Sequence, residues 1–555
     1  MKESSKTTPL RVVNDSKMKN SRTGPSANDV MFKGPDRLGN MYQIILRWRQ
    51  YEVCILWDVS KAYNAVVTKP PENFIRCQVW RFGQTDSPWR TFQYQRMAFG
   101  DLIASLGLEL VKEKGCDIAE LKGEVGSEAI KKVRNDMFVD DGVSGCRNQE
   151  EADRLIGKMT ILPSGKLNYS GEISKVLGYV GLSPKVFIQS GIENPPEAME
   201  RQGNVLGHLY NPSSDIITFR FPFKVKLSKG RSEEDLTTEN LKELILTRRS
   251  CLAATMQVYD PLGIVSPLSI ALKIASKDVT NLNKPWDEIL PEQLQQLWQQ
   301  LLHKLLSCPD IILQRRVRPE DSEARPELIG MHDGSESAYA GVVYIRYKLI
   351  GGQCEARIYA AKARVTPSKG MTVPRAELNS LLITTRLVAS IQEAMVIKPS
   401  RITFCGDSEC TISSYEAEHT ILAAYFSNRV HECELNIDKV GIKIADEYTA
   451  NKELAEEDIT EATQVDKLQH VAGTLNTADI ATRGAATYED MKPDSEWLNG
   501  PRFLTQDRET WPTSRDFIRL IPEKEQRSRM FKLINTYAID ASSQGSLLEL
   551  IHRIS

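Results

Sequence analysis

The stretch Met137-Phe138-Val139-Asp140-Asp141-Gly142-Val143 constrains this chain more than any other. Two adjacent carboxylates stand in a short apolar run, with Gly142 and Gly145 supplying turn residues. Such a run reads as a strand or hairpin. Two acids at its tip are electrostatically costly unless a cation or a basic partner neutralises them. The plain alternative is a polar hairpin tip, and the chemically pointed one is a metal-binding pair. Matching parts elsewhere in the chain decide between them.

One such part is Asp58. Residues 51–57 form an apolar run (Val53, Cys54, Ile55, Leu56) that predicts a buried strand delivering this carboxylate at its C-terminal end. Residues 41–49 predict a short amphipathic helix, 74–83 and 89–98 two strands, 102–114 a helix, and 128–133 a more polar helix leading to the acidic hairpin. Further on, 205–210 and 216–225 predict paired strands. A helix over 236–258 is stopped by Asp260-Pro261-Leu262-Gly263, and helices follow over 266–275 and 292–306. No carboxylate or histidine cluster of catalytic type stands out in this middle region, so a structural or clamp role is its default.

From Pro326 the pattern changes. Three consecutive strands are predicted over 328–332, 338–347 and 354–365, then a long helix over 374–393 with Pro374 near its first turn. A strand over 401–405 ends at Asp407, followed by a helix over 408–417 and a helix running into a strand over 424–438. A last strand over 467–471 and a short helix over 477–482 complete a mixed α/β domain with acids at strand and helix ends. The tail carries Trp497, Trp511 and helix candidates over 523–535 and 547–553.

A chain of 555 residues is too long for one core and suggests about three or four domains. Its formal net charge of −2 gives no global basic signal, so a nucleic-acid surface has to be local. Residues 1–50 do carry a Lys/Arg excess, whereas 446–466 is acidic. The scattered cysteines, with no Cys-x-x-Cys, fit reduced intracellular thiols better than a disulfide framework or a zinc site. The first residues lack an apolar signal-peptide core, and no apolar run approaches the roughly 20 residues of a membrane span. A soluble, intracellular and cytoplasmic chain is expected.

Nucleotidyl transfer needs two divalent cations, one activating a 3′-hydroxyl and one holding a triphosphate, and several carboxylates hold such ions through hard oxygens. Asp58 with the Asp140/Asp141 hairpin offers that set. Here the sequence resembles reverse transcriptases: Asp58-Val59-Ser60-Lys61-Ala62-Tyr63 is similar to their first palm motif, and Phe138-Val139-Asp140-Asp141 to their Tyr/Phe-x-Asp-Asp box. The resemblance implies that Asp58, Asp140 and Asp141 are catalytic ligands of Mg²⁺ (or Mn²⁺), Asp141 the least direct. It also implies that Tyr63 gates the sugar, that Phe99-Gly100 contacts template and nucleotide, and that Arg11 grips triphosphate. Val205-Leu206-Gly207-His208 resembles a primer-grip turn.

Asp333, Glu377, Asp407 and Asp479 fall at a strand end, a first helical turn, a strand end and a helix start. That order on that succession of elements resembles the RNase H fold, which implies four catalytic acids binding two Mg²⁺ ions, with His470 assisting product release or proton transfer. The wording is similar to the Bel/Pao class of LTR retrotransposons at 331–344, 372–378 and 470–484. It is similar also at Thr247-Arg248-Arg249-Ser250, at Tyr259-Asp260-Pro261-Leu262-Gly263 and at Trp497-Leu498-Asn499-Gly500-Pro501. His332-Asp333-Gly334-Ser335 departs from the family's Cys-Asp-Ala-Ser and keeps the acid.

What the resemblance implies is an α+β multidomain chain. Residues 1–165 are expected to be reverse transcriptase palm with truncated fingers. Residues 166–320 are expected to be a connecting, thumb-like region similar to a segment named Pao peptidase (peptidase A17), although no Asp-Thr/Ser-Gly occurs in the chain. An RNase H-like mixed α/β domain is expected over 321–485, and 486–555 a tail leading towards an integrase. The expected function is RNA-directed DNA polymerase and ribonuclease H, with RNA template, DNA primer, dNTPs and RNA–DNA hybrid as partners. No membrane is expected as a partner. Protease and integrase products, and association with a particle, belong to an intact element. The alternatives are a non-catalytic nucleic-acid-binding remnant and an aspartic-type peptidase.

Overall fold

The structure is a computed structural model that describes residues 15–19, 24–71, 74–81, 86–163, 166–191, 205–225, 233–323, 325–443, 462–515 and 520–526. Arg11, most of the acidic segment 446–466 and the helix candidates beyond 526 lie outside the described residues. The chain divides into two compact units, Met1–Ile216 and Ile217–Ser555.

In the first unit the apolar run becomes β1 (Val53–Val59), one of the two inner strands of a four-stranded sheet. It pairs antiparallel with β3 (Asp141–Cys146) on one side and β4 (Pro184–Gln189) on the other, and β2 (Met137–Phe138) flanks β3. Cys54, Ile55, Leu56, Trp57 and Val59 are all buried, as a strand lacking alternation requires. Asn40 caps the helix Met41–Trp48, whose Ile44, Ile45, Leu46 and Trp48 are fully buried, and this helix packs on β3. The helix Ala104–Lys122 runs further than 102–114 and packs on Ser127–Asn135 and Glu172–Gly178. Cys77–Trp80 and Arg90–Gln93 form a two-stranded ribbon with largely exposed side chains.

The second unit is built on a seven-stranded sheet. Three long antiparallel strands, β5 (Glu327–Gly334), β6 (Ala338–Lys348) and β7 (Cys354–Val365), form one side. β8 (Arg401–Gly406) then pairs parallel with β5, and β9 (Ile442–Lys443) and β10 (Gln464–Val465) extend the sheet. The order is β7-β6-β5-β8-β10-β9, and β11 (Gln469–His470) pairs with the far end of β8. The helix Val373–Ala394 packs across β5 and β6 and against the helix Ala424–Val440. The second of these stays helical throughout, where a helix running into a strand was expected.

The expected helix over 236–258 is not formed. Glu234–Asp235 pairs with Lys224–Val225, Leu241–Glu243 is a single 3₁₀ turn, and the helix covers only Arg248–Gln257. Side chains compete with the backbone here. Asn240 accepts from the Thr237 amide, and Thr247 with Ser250 forms a capping box that starts the helix late. Downstream, the Asp260 carboxylate accepts from the Ile264 and Val265 amides at 2.8 Å each, capping the entry to the helix Ser266–Asn281. This corner seats on the edge strand β7, with the Ala361 amide donating to the Leu262 carbonyl at 2.7 Å. Trp497, fully buried, donates its indole N–H to the Ile264 carbonyl at 2.7 Å, so the tail joins the same core.

Candidate active site

Parallel pairing of β5 with β8 puts His332 opposite Gly406. The next residues, Asp333 near the C-terminal end of β5 and Asp407 just past β8, therefore stand side by side on the two central strands. Glu377 comes from the fifth position of the helix Val373–Ala394 rather than its first turn. Helix and strand approach closely there: a Cβ on Gly334 would lie 2.4 Å from the Glu377 amide nitrogen. Donor atoms of Asp333, Glu377 and Asp407 lie within 4.8 Å of one another.

Charge is the difficulty of this arrangement. Two like charges at 4 Å repel by roughly 4 kcal/mol at an effective dielectric of about 20, whereas one hydrogen bond contributes about 1 kcal/mol. Thr482 donates to Asp333 Oδ2 at 2.5 Å and Asn476 donates to Asp407 Oδ1 at 3.1 Å. These cannot offset the repulsion, so protons or cations must. Burial, reinforced by Asp333 and Asp407, raises the Glu377 carboxyl to about 9. Burial raises Asp333 to about 6, with Asp407 and Asp479 adding to it and Thr482 opposing it. Glu377 Oε2 is buried and makes no hydrogen bond among the described residues. A buried carboxylate oxygen without a donor, facing two more acids, suits a hard divalent cation.

Asp479 stands slightly apart, in the 3₁₀ helix Thr477–Ala481, with Arg483 Nε 2.6 Å from its Oδ1. It is near enough to raise both Asp333 and Glu377. His470 Nε2 lies 3.2 Å from the Asp407 carbonyl, and its backbone is bridged to Ser514 in both directions. Sequence reasoning did not single out Asn476. Its oxygen accepts from the Ala478 amide to cap the 3₁₀ helix, while its nitrogen donates to Asp407 and to the His332 carbonyl at 2.9 Å. A capping residue three positions before an acid was the available signal. His332 is buried, with Nδ1 3.1 Å from Ser380 Oγ, and desolvation lowers its imidazole to about 4, keeping it neutral.

In the first unit, the antiparallel register sets Asp58 opposite Asp141. Asp58 lies inside β1 rather than after it, and is buried, while Asp141 is exposed. The turn between β2 and β3 is Val139-Asp140, and Val139 has φ 59°. A β-branched residue in that region is strained. The Val59 amide donates to the Asp140 carbonyl at 2.9 Å, tying the turn to β1. Gly142 is obligatory, since a Cβ there would fall 1.9 Å from the Trp57 ring. Tyr63 and Phe99 meet edge to face with centroids 4.9 Å apart, and Tyr63 Oη is 3.2 Å from Ser105 Oγ. Burial raises the Tyr63 phenol, Ser105 opposes this, and Asp140 adds to it. Gly100 follows with φ 100° and its carbonyl accepts from Asn28.

Val205-Leu206-Gly207-His208 forms a tight turn closed by two hydrogen bonds between Val205 and His208, with φ 46° at Leu206 and 88° at Gly207. Positive φ at both central residues is a type I′ signature. Val205 and Leu206 line a cavity of about 50 Å³ shared with Asp58 and Asp141.

Residues 247–408 match the family model described as Pao retrotransposon-like RNaseH-like domain. That segment is similar to the Pao retrotransposon-like family. The Pao-like match includes Asp333, Glu377 and Asp407, together with the Asp260 corner on β7. No curated protein sequence matches the chain. Among solved structures, it is similar to a foamy viral protease-reverse transcriptase in complex with double-stranded DNA, at 12% identity over 77% of this chain and 61% of that one, TM-score 0.40. A foamy viral protease-reverse transcriptase with RNA/DNA hybrid matches at 13% over 72% and 45%, TM-score 0.37. The N-terminal RNase H domain of a Mycobacterium tuberculosis protein matches at 10% over 29% and 99%, TM-score 0.18. The chain thus spans less than two thirds of the foamy viral chains. Among the described residues no helix is long and apolar enough to cross a membrane, and none of the ten cysteines forms a disulfide.

Proposed function

We propose that the chain is a retroelement nucleic-acid enzyme whose Pao-like domain hydrolyses the RNA strand of an RNA–DNA hybrid. The observation that carries this reading is the convergence of Asp333, Glu377 and Asp407 within 4.8 Å, with Glu377 Oε2 buried and lacking a hydrogen bond. These three acids would hold divalent ions, with Asp479 beside them. Bound Mg²⁺ (or Mn²⁺) supplies the acidity that activates water and the charge that stabilises a leaving 3′-oxygen. The chain's own part is positional. Thr482 and Asn476 fix one oxygen each on Asp333 and Asp407, Arg483 restrains Asp479, and His470 is available for proton movement beside Asp407. Hybrid recognition would rest on groove shape and 2′-hydroxyl contacts rather than sequence.

We infer a second centre in the first unit, with Asp58, Asp140 and Asp141 as ion ligands for RNA-directed DNA synthesis. Tyr63 would be its sugar gate, and Phe99-Gly100 and Arg11 its template and nucleotide contacts. The Asp58–Asp141 register and the Tyr63–Phe99 pair near Asp140 support it. RNA template, DNA primer and dNTPs would be its substrates. The segments 1–165, 166–320, 321–485 and 486–555 would then serve as fingers and palm, connection, RNase H domain and tail.

Cleavage of a labelled hybrid in Mg²⁺ by the full chain tests the first centre. Activity abolished in Asp407→Asn is expected, and activity unchanged in that variant refutes the assignment. Primer extension on a poly-rA template tests the second. Incorporation lost in Asp140→Asn is expected; no incorporation by the parent chain would favour a nucleic-acid-binding remnant.

A further inference from the structure

His419 sits in the 3₁₀ turn His419–Ile421, and His431 and Glu434 stand three apart on the following helix Ala424–Val440. Residues three apart on a helix share a face, and the short link through Leu422 and Ala423 folds the turn back onto that face. One donor atom from each of the three side chains lies within 4.8 Å of the other two. His419 Nε2 is 2.9 Å from Glu434 Oε2, and His431 Nδ1 is 3.8 Å from the same oxygen. The two imidazoles are nearly perpendicular, 82°, with centroids 5.9 Å apart.

We propose that His419, His431 and Glu434 form a zinc site distinct from the carboxylate centre. Metal–ligand bonds of about 2.0–2.1 Å in a tetrahedron set donors roughly 3.3 Å apart. The observed separations bracket that value, so small side-chain rotations complete the set. The second nitrogen of His419 carries the independent argument. Its Nδ1 lies 3.3 Å from Ser427 Oγ. A hydroxyl accepting from Nδ1–H leaves the Nε2 lone pair directed at the ion, the outer-sphere arrangement that metal-ligating histidines use. Two imidazoles and one carboxylate select Zn²⁺ or Co²⁺ over Mg²⁺, which prefers oxygen alone. A fourth position is left for water, since all three side chains are partly exposed, His431 at 64%. No cysteine takes part, so cysteine spacing could not reveal it.

The consequence is mechanical. An ion here clips the turn to the middle of the helix that carries Tyr425 and Arg429 in its first turns. Arg429 lies 3.5 Å and Arg375 4.3 Å from the Tyr425 ring centroid, and Asn379 donates to the Tyr425 hydroxyl at 2.8 Å. Arg375 and Asn379 flank Glu377 on its helix, so the clip stiffens the support of a carboxylate-centre ligand.

The test is titration of the metal-free, full-length chain with Co²⁺, read by visible absorption. A four-coordinate Co²⁺ spectrum saturating at one equivalent, displaced by Zn²⁺, is expected. It should persist in Asp407→Asn and vanish in His431→Ala, whose exposed position leaves the fold intact by circular dichroism. Ser427→Ala should weaken Zn²⁺ binding roughly 10-fold or more. Absence of the spectrum in the parent chain overturns the proposal. So does its persistence in both His431→Ala and Glu434→Gln, or its loss in Asp407→Asn.

Discussion

Asn476 Nδ2 stands 3.1 Å from Asp407 Oδ1, and the same nitrogen donates to the His332 carbonyl at 2.9 Å on the neighbouring strand. One amide thus fixes the orientation of a carboxylate and the spacing between β8 and β5. A group that orients a metal ligand is typically worth 10–100-fold in metal affinity. Asn476→Ala is therefore expected to raise the Mg²⁺ concentration for half-maximal hybrid cleavage by about that factor. Asn476→Asp should be worse, because it adds a further carboxylate beside Asp333, Glu377, Asp407 and Asp479. Mg²⁺ titrations of the two variants check the ranking; equal or unchanged Mg²⁺ requirements would contradict it.

The raised carboxyl of Glu377 makes the metal-free fold sensitive to alkali. A glutamate near 4.5 when unfolded and about 9 when folded binds more protons in the native state between those values. Stability then falls as pH rises through that window, by up to about 1.4 kcal/mol per pH unit. Asp333, raised to about 6, contributes the same sign over a narrower range at the acidic end. Glu377→Gln removes the larger part. In EDTA it should melt higher than the parent at pH 8 and nearly level with it at pH 5. Saturating Mg²⁺ should close the gap at pH 8 by stabilising only the parent's charged cluster. A parent melting temperature flat from pH 5 to 8 in EDTA would exclude this.

Trp497 links the tail to the Pao-like domain through one buried indole. It is fully buried, donates to the Ile264 carbonyl, and its own carbonyl accepts from the Tyr344 hydroxyl at 3.1 Å. Truncating a core tryptophan costs about 3–5 kcal/mol. Trp497→Ala should destabilise the second unit by that much in urea, although the residue is far in sequence from the matched segment. Trp511→Ala should cost less, since Trp511 is 8% exposed and packs edge to face on Phe503. Equal midpoints for Trp497→Ala and the parent would show the tail to be dispensable.

Part of both proposed sites was legible because apolar runs announce buried strands. The apolar runs leading to Asp58 and to Asp407 predict β1 and β8, although Asp58 lies within its strand and only Asp407 follows one. The long helix after Pro374 was equally plain from its length and its proline near the start. What stayed hidden depended on side chains choosing between partners. The helix expected over 236–258 failed because Asn240, Thr247 and Ser250 bond locally, a competition that periodicity does not register. Asn476 read as part of a family phrase, with no sign that its nitrogen would reach Asp407. The His419–His431–Glu434 cluster required knowing that a short turn folds back on its own helix.

Val139 is the residue where fold and proposed chemistry conflict most directly. Its φ of 59° places a β-branched side chain in the left-handed region, at a cost of roughly 1–2 kcal/mol. Glycine accepts that φ freely but loses roughly 0.5–1 kcal/mol of chain entropy on folding. Val139→Gly should therefore leave the first unit unchanged or up to about 1.5 kcal/mol more stable in chemical denaturation. The turn, however, carries Asp140 and orders Asp141 against Asp58 through the β1–β3 register. With the stiff side chain gone, these carboxylates sample more positions, and positioning contributes to catalysis only when it is maintained. Primer extension by Val139→Gly is expected to fall while stability holds or rises. A variant both more stable and fully active would mean that the strain belongs to the fold alone.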